Sequence, residues 1–529
     1  MNDATPSALT PLRSPVFRML WLAWLAANIT MWMNDVAAAW LMTSLTDSVM
    51  MVALVQAAST LPVFVLGLPS GALADIVDRR RYFAATQLWV ASVAVVLGVL
   101  ALVDGLTAPL LLALTFANGI GMAMRWPVFA AIVPEVVPRA QLSPAIALNG
   151  IAMNMSRVIG PVVAGALLAG AGSQYVFLIN ALLSIVAFVL ILRWRSQQRV
   201  SALPGERFVG AMRVGLQHVM QAPRMRVVLL RIFLFFLQST ALTALLPLVA
   251  RRLGGGGAGS FTVLLASMGA GAVVTALLLP RLRQNLGRDE FVRWGTGLHA
   301  VMTVVVALAP SIWLAIPAMA LAGMAWISTA NSLTLAAQLA LPNWVRARGM
   351  SIYQMALMGG SASGAALWGQ VASLTSVPTS LIAASVLGPV LLLATHRWSV
   401  GSGADDDHSP ARPRAAPEPA EPIDPDAGPV MVTVEYFIDP QQADGFNAVM
   451  QETRRARLRQ GALSWGLFRD AAVSGRYIEY FLDESWVEHQ RRLERFTNAD
   501  AGLRERRLAF HQRDELPQVQ RYIGDTVPH

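Results

Sequence analysis

Residues 48–81 read SVMMVALVQAASTLPVFVLGLPSGALADIVDRRR. No charged side chain interrupts 48–74, and the run then closes on Asp75, Asp78 and the arginines Arg79, Arg80 and Arg81. About 20 apolar residues are enough for an α-helix to cross the hydrocarbon core of a bilayer. The stretch is therefore a membrane span that ends in a cationic loop. Outward from it the pattern repeats, and spans are predicted near 17–43, 48–74, 82–103, 108–133, 142–170, 174–193, 227–250, 260–280, 291–309, 312–340, 349–373 and 378–396.

The loops alternate in charge. One set carries Arg79, Arg80 and Arg81; Arg139; Arg193, Arg195, Arg199, Arg207, Arg213 and Arg224; Arg281, Arg283 and Arg288; Arg346 and Arg348. The opposite set carries only Arg251 and Arg252. Positive charge in short loops is retained on the cytoplasmic side, so both ends of the membrane region are predicted cytoplasmic, in a bacterial-type inner membrane. The composition agrees, with 55% hydrophobic and 14% charged residues and a mean hydropathy of +0.50. The net charge of +9 sits on loops facing anionic headgroups, which argues for a lipid bilayer as partner and against nucleic acid. With no cysteine there are no disulfides, thiolate metal sites or thiol nucleophiles. With no lysine there is neither a P-loop ATPase nor a pyridoxal Schiff base. The seven histidines are scattered, so neither metal nor cofactor is expected, and Gly254 to Gly257 reads as a flexible turn.

The longest gap between spans, 194–226, is polar and arginine-rich and divides them into halves at 1–193 and 227–398. Pro134-Glu135-Val136-Val137 and Pro342-Asn343-Trp344-Val345 hold matching places in the two halves. Two six-helix halves with a substrate site between them are a recurrent transporter plan. Residues 399–428, rich in Pro, Ala, Asp and Glu, form a solvated linker. In 429–529, strands are predicted at 430–438, 463–469, 477–482 and 519–523, with helices over 441–459 and from Ser485. That βαββαβ order is ferredoxin-like. The predicted fold class is thus an all-α polytopic membrane protein of twelve transmembrane helices, followed by a small α+β ferredoxin-like domain.

Gly71-Ala72-Leu73-Ala74-Asp75, followed by Arg79-Arg80, resembles the loop motif of the major facilitator superfamily. Ile76 stands where that family usually has arginine, and Asp78 where it has glycine. The resemblance implies a gate latch in which Asp75 meets a helix N-terminus and Arg79 and Arg80 pair with carboxylates; otherwise the arginines serve topology alone. Gly160-Pro161-Val162-Val163-Ala164-Gly165 is similar to the motif of antiporting members, a hinge or a tight small-residue interface. Residues 11–398 as a whole resemble the enterobactin-exporter-like branch, the transmembrane secretion effectors, which implies export of siderophores or macrolides. Ser485-Trp486-x-x-His489 and Arg495-Phe496-Thr497 resemble the antibiotic-biosynthesis-monooxygenase-like barrels, which implies a homodimer through the tail.

An ionisable group inside a membrane helix is costly enough to mark function. Asp35, well inside the first span and seven residues after Asn28, is the candidate for proton coupling, or else a fixed structural carboxylate. Arg125 and Arg157 either partner Asp35 or attract an anionic substrate, and Arg157 can instead pair with Glu135. Gln56, Asn149, Asn331 and Gln354 are candidate substrate contacts or interhelical hydrogen bonds. Arg231 reads as a snorkelling residue. In the tail, Trp465, Trp486 and His489 can surround a small ligand, although Glu488, Arg491, Arg492 and Arg495 make that helix read as solvated. The expected function is proton-driven export of a small amphiphile and not catalysis. The alternative is a membrane-tethered sensor or cofactor-free oxygenase acting through the tail.

Overall fold

A backbone inside hydrocarbon has no water to bond with, so each long apolar run must satisfy itself as a helix. The structure, a computed structural model, describes residues 9–138, 141–194, 208–253, 257–282, 287–399, 407, 409, 411 and 421–525. Arg139, Arg195, Arg199, Arg207, Arg283, Gly254 to Gly256 and most of the linker lie outside the described residues. The first six long helices are α1 (Pro15–Leu45), α2 (Val49–Ile76), α3 (Arg79–Leu102), α4 (Ala108–Val136), α5 (Leu142–Gly170) and α6 (Ser173–Arg193). A shorter helix follows, α7 (Phe208–Gln221). Then come α8 (Pro223–Leu253), α9 (Ala258–Leu282), α10 (Arg288–Leu308), α11 (Ile312–Leu339), α12 (Arg346–Leu374) and α13 (Val377–Ala394).

Among the described residues, 11 helices are long and apolar enough to cross a membrane. The 29-residue α12 is not one of them. Its centre reads Gly359-Gly360-Ser361-Ala362-Ser363-Gly364, which dilutes its apolar character. Those small residues let another backbone approach. A Cβ on Gly360 would lie 2.4 Å from the Phe233 carbonyl of α8, and one on Gly364 2.4 Å from that of Leu237.

Helix ends are closed by local polar chemistry. Ser48 caps α2 by accepting from the Met51 amide at 3.4 Å, and Asp78 caps α3 by accepting from Arg81 at 2.8 Å. Asp78 therefore has a structural use at the position where the resembled motif has glycine. Arg80 donates to the Leu192 carbonyl at the end of α6. Arg231, expected to snorkel, is instead 7% exposed and donates to the carbonyls of Thr395 at 2.7 Å and Trp398 at 3.1 Å. It closes the C-terminal end of α13, where unpaired carbonyls favour a cation.

By packing, the chain forms two compact units. The first holds the bulk of the long helices. The second comprises 201–226, 337–350 and 402–529. Within it lies a sheet of β1 (Val430–Phe437), β2 (Ser464–Arg469), β3 (Arg476–Asp483) and β4 (Val519–Ile523). The strand order is β2-β3-β1-β4 with every neighbouring pair antiparallel. Helices α14 (Ala443–Arg459), α15 (Trp486–Glu494) and α16 (Asn498–Leu508) complete the unit with α7. Alternation in β1 buries Val430, Val432, Val434 and Tyr436, which pack with Phe446 and Met450 of α14. Gly475, in the β2–β3 turn, has φ +78° and meets the Ile438 carbonyl, a conformation and a fit that favour glycine.

Two expectations need correction. The 194–226 connector is not merely polar, because α7 buries Ala211, Val214, His218 and Val219. The second tail helix is in fact two: Thr497 and Asp500 form a capping box that starts α16 afresh.

Replacing Gly364 by alanine should lower the melting temperature of the detergent-solubilised chain by several degrees, an overpacking cost of about 1–3 kcal/mol. Gly150→Ala, where an added Cβ meets nothing within 4 Å, should leave it unchanged or raise it by up to about 1 kcal/mol, the helical difference between the two residues. A thermal scan of both variants checks the pair.

Candidate functional site

Polar atoms without partners collect along α1. The Asp35 Oδ1, both amide atoms of Asn34, the Asn28 Oδ1 and the Trp32 Nε1 are buried and accept or donate nothing among the described residues. Asn28 does use its Nδ2, donating to the Trp24 carbonyl at 2.7 Å. Such groups are costly to bury unpaired, and native proteins keep few of them away from functional sites.

Two arginines approach this helix from α4 and α5. Arg125 is 2% exposed. Its Nη1 donates to the Ala27 carbonyl at 3.3 Å, and its guanidinium lies 5.6 Å from the Trp24 ring. Trp24 in turn stacks on Phe129 at 3.9 Å. Arg157 lies between two indoles, 4.7 Å from Trp326 of α11 and 5.7 Å from Trp32 of α1, with its Nε unpartnered. Among the described residues, neither arginine forms an ion pair with Asp35. The Glu135 side chain lies outside the described residues.

The Gly160 segment sets this geometry. A Cβ on Gly160 would sit 2.5 Å from the Trp32 Cβ, and one on Gly165 1.8 Å from the Thr262 hydroxyl of α9. Pro161 between them is buried within α5. Helix α5 thus touches both α1 and α9. The seam continues elsewhere: Gly67 of α2 meets Met355 of α12, and Gly359 of α12 meets Phe64. Arg251 on α8 donates to the Thr43 carbonyl in the last turn of α1 at 2.6 Å.

The remaining predicted residues are placed as follows. Gly71 faces Ser351 of α12, where a Cβ would stand 3.5 Å from the hydroxyl. The Asp75 side chain lies outside the described residues, while Arg79 opens α3 beside the Asp78 cap. The Asn149 Oδ1 is buried without a partner. Gln56, Asn331 and Gln354 are half-buried, and their side chains make no hydrogen bond to Asp35, Arg125 or Arg157. Trp326 and Thr262 were not singled out from sequence. The only local signal for Trp326 is its place after Gly323, where a Cβ would clash with the Met268 carbonyl at 1.9 Å.

The tail candidates occupy a buried polar network. The Trp465 Nε1 donates to the Glu479 Oε1 at 3.1 Å, beside the Arg457 Nε at 2.9 Å and the Tyr436 hydroxyl at 3.0 Å. The His489 Nδ1 meets the Asp483 Oδ2 at 2.8 Å, and the Arg521 Nε donates to the His489 Nε2 at 3.1 Å. Accepting at Nε2 requires the proton on Nδ1, so His489 donates to Asp483. Trp486 stacks on His489 at 5.4 Å. The solvated reading of this helix is overturned: His489, Arg491, Arg492 and Arg495 are all buried, because carboxylates and carbonyls answer each cation. Burial pushes the Glu479 carboxyl up, but Arg457 and Arg507 outweigh it and bring it to about 2. Burial likewise raises Asp483, yet Arg492 and His489 hold it below the usual range. Burial lowers His489, with Arg492 adding to that and Asp483 opposing it.

Within the same unit, α7 and residues 337–350 are fastened to this domain. Arg213 pairs with Glu484 at 2.6 Å, Gln217 donates to the Ala462 carbonyl at 2.7 Å, and the Arg495 guanidinium lies 4.9 Å from the Trp344 ring. A small cleft of about 60 Å³, open to solvent, runs past His218, Trp344, Arg459 and Arg495.

A family model described as transmembrane secretion effector matches residues 6–528. The staphyloferrin A transporter of Staphylococcus aureus (strain NCTC 8325 / PS 47) is 22% identical over 48% of this chain and 64% of its own length. Macrolide efflux protein A of Streptococcus pyogenes is 24% identical over 50% of this chain and 65% of its own. The chain therefore spans just under two thirds of these curated relatives. Among solved structures, a bacterial homologue of the human lysosomal transporter Spinster, inward-facing and unoccupied, superposes with a TM-score of 0.58 at 15% identity. The match covers 73% of this chain and 98% of that one. The nucleoside transporter NupG gives 0.59 at 11% identity, covering 73% and 99%. At such identities the likeness is one of fold alone.

The tail network carries a signed pH dependence. His489 is held below its ordinary 6.5 and Asp483 below 3.8, so the unfolded chain binds more protons than the folded one. Stability is then full at neutral pH, falls first below about 6.5 as His489 would protonate, and falls again below about 4. Asp483→Asn leaves Arg492 buried without its partner and should cost about 3 kcal/mol. Thermal unfolding from about pH 2 to pH 8, with wild type and Asp483→Asn, measures both effects.

Proposed function

The chain belongs to the transmembrane secretion effector family, and from that premise we propose a secondary active exporter that moves an amphiphilic small molecule by alternating access. The observation that carries this reading is the α5 seam. One helix presses Gly160 against α1 and Gly165 against α9; Asp35 lies on α1 and Arg157 on α5 itself, neither in an ion pair among the described residues. Charged groups kept in hydrocarbon without ion pairs are too costly to be retained for packing alone. A siderophore or macrolide-like substrate fits the relatives, whose names specify staphyloferrin A and macrolides.

In this reading α12 is the twelfth span. Residues 1–193 and 227–398 are six-helix halves, 194–226 is their cytoplasmic connector, and both termini face the cytoplasm across a bacterial inner membrane. Protons drive the cycle by antiport. Asp35 takes up a proton from outside and releases it inside as substrate moves outward. Arg125, Arg157, Gln56, Asn149, Asn331 and Gln354 contact substrate or balance charge. Gly71, Asp75, Arg79 and Arg80 form the gate, and Gly160, Pro161 and Gly165 the hinge.

The domain at 429–529 is ferredoxin-like and regulatory. Its open sheet face presents Phe468, 60% exposed, and Tyr522, 47% exposed, and pairs with a second copy. The alternative, a ligand sensor or oxygenase built on Trp465, Trp486 and His489, is less well supported, because the polar atoms of Trp465 and His489 already have partners. Trp465 donates to Glu479 and both His489 nitrogens are bonded.

Inside-out vesicles carrying the wild type should release lumenal protons when a transported siderophore or macrolide is added, and Asp35→Asn should reduce that flux at least tenfold. Flux unchanged in the variant would remove Asp35 from the proton path.

A further inference from the structure

Away from the helix ends, the described membrane helices carry three charged side chains: Asp35 on α1, Arg125 on α4 and Arg157 on α5. Arg231 is a fourth nearer an end, and its charge is spent on the α13 carbonyls. The interior is therefore cationic by one charge when Asp35 is ionised and by two when it is protonated. The two arginines differ in what they already hold. Arg125 is sealed in a pocket, bonded to the Ala27 carbonyl and covered by Trp24. Arg157 has no carbonyl or carboxylate partner among the described residues, and its Nε is buried and unbonded.

Its neighbours give the site a shape. Trp32 belongs to the first half and Trp326 to the second, and the guanidinium lies within 6 Å of both rings. Indole faces stabilise the cation without supplying an acceptor, and they leave the planar guanidinium edge available to an oxyanion. The Trp32 Nε1, also buried and unpartnered, adds a second donor. Both orphan groups are donors, so the ligand that satisfies them is an acceptor and an anion. A cationic amine in the same place would face repulsion from two guanidinium groups with a single carboxylate to answer them.

We propose that the exported molecule is an oxyanion-bearing aromatic or apolar amphiphile whose carboxylate-type group docks on Arg157 between Trp32 and Trp326. This rests on the export reading above and narrows its substrate class. It also assigns Trp326 a binding role that joins the second half to the charge of the first. Drawing the two indoles onto one bound anion gives substrate a differential hold on the closed seam, as a population shift requires.

The test uses the full chain in everted vesicles, with two amphiphilic dyes of similar size and opposite charge: carboxyfluorescein and the cationic ester rhodamine 6G. The wild type should transport carboxyfluorescein at least tenfold faster than rhodamine 6G. Arg157→Gln should abolish that preference, and Trp326→Ala should raise the half-saturating dye concentration several-fold. Arg157→Lys keeps the charge and should retain measurable anion transport, which guards against a folding defect in the glutamine variant. Equal or faster transport of rhodamine 6G, or carboxyfluorescein transport indifferent to Arg157→Gln, would overturn the anion assignment while leaving export standing. Transport of neither dye, nor of a siderophore or macrolide, would remove the export reading and this one with it.

Discussion

The close approach of α5 to two neighbours at once is the constraint on which the membrane unit depends. Lipid tails are as apolar as leucine, so helices in a bilayer are not driven together by hydrophobicity but by close packing and by polar contacts between them. At Gly160 and Gly165 the absent side chains bring α5 against α1 and α9. A larger residue at Gly160 would push α5, which carries Arg157, away from Trp32 on α1, and one at Gly165 would push it away from α9. The Gly360 and Gly364 contacts of α12 with α8 follow the same rule. Small residues thus do at the seams what large apolar residues do in a soluble core.

The tail solves a different problem in water. Its small sheet cannot bury much apolar area, and its helices carry many arginines. The structure places carboxylates at alternate positions of β3, Glu479 and Asp483, with Phe481 between them. Arg457 and Arg492 cross the Phe481 ring at 4.4 and 4.3 Å on their way to these carboxylates. Each charge has a partner, which is the condition under which buried ion pairs are tolerated. The same unit takes in α7 and residues 337–350, so the domain is fastened to segments that come from the middle of the chain.

Hydropathy made the membrane helices legible, since a span of that length has few alternatives to helix. The tail strands were legible too, because alternation and the Ser474-Gly475 turn leave little freedom in register. Asp35, Arg125 and Arg157 stand out by residue type alone. Their partners do not: Trp326 lies 169 positions from Arg157 in sequence, and only the packing of α5 with α11 side chains unites them. His489 was misread as solvated because the arginines around it look like a wet face until Asp483 and Glu488 are seen to answer them. Arg231 was misread for a similar reason, as its acceptors are main-chain carbonyls that no side-chain pattern announces.

Movement at the seam is the central claim, and spin-label distances test it most directly. The chain contains no cysteine, so paired cysteines placed at opposite ends of α5 and α9 label uniquely. Alternating access predicts that a transported substrate shifts the two end-to-end distances in opposite directions, one opening as the other closes. Distances that stay fixed at both ends, with and without substrate, would contradict it.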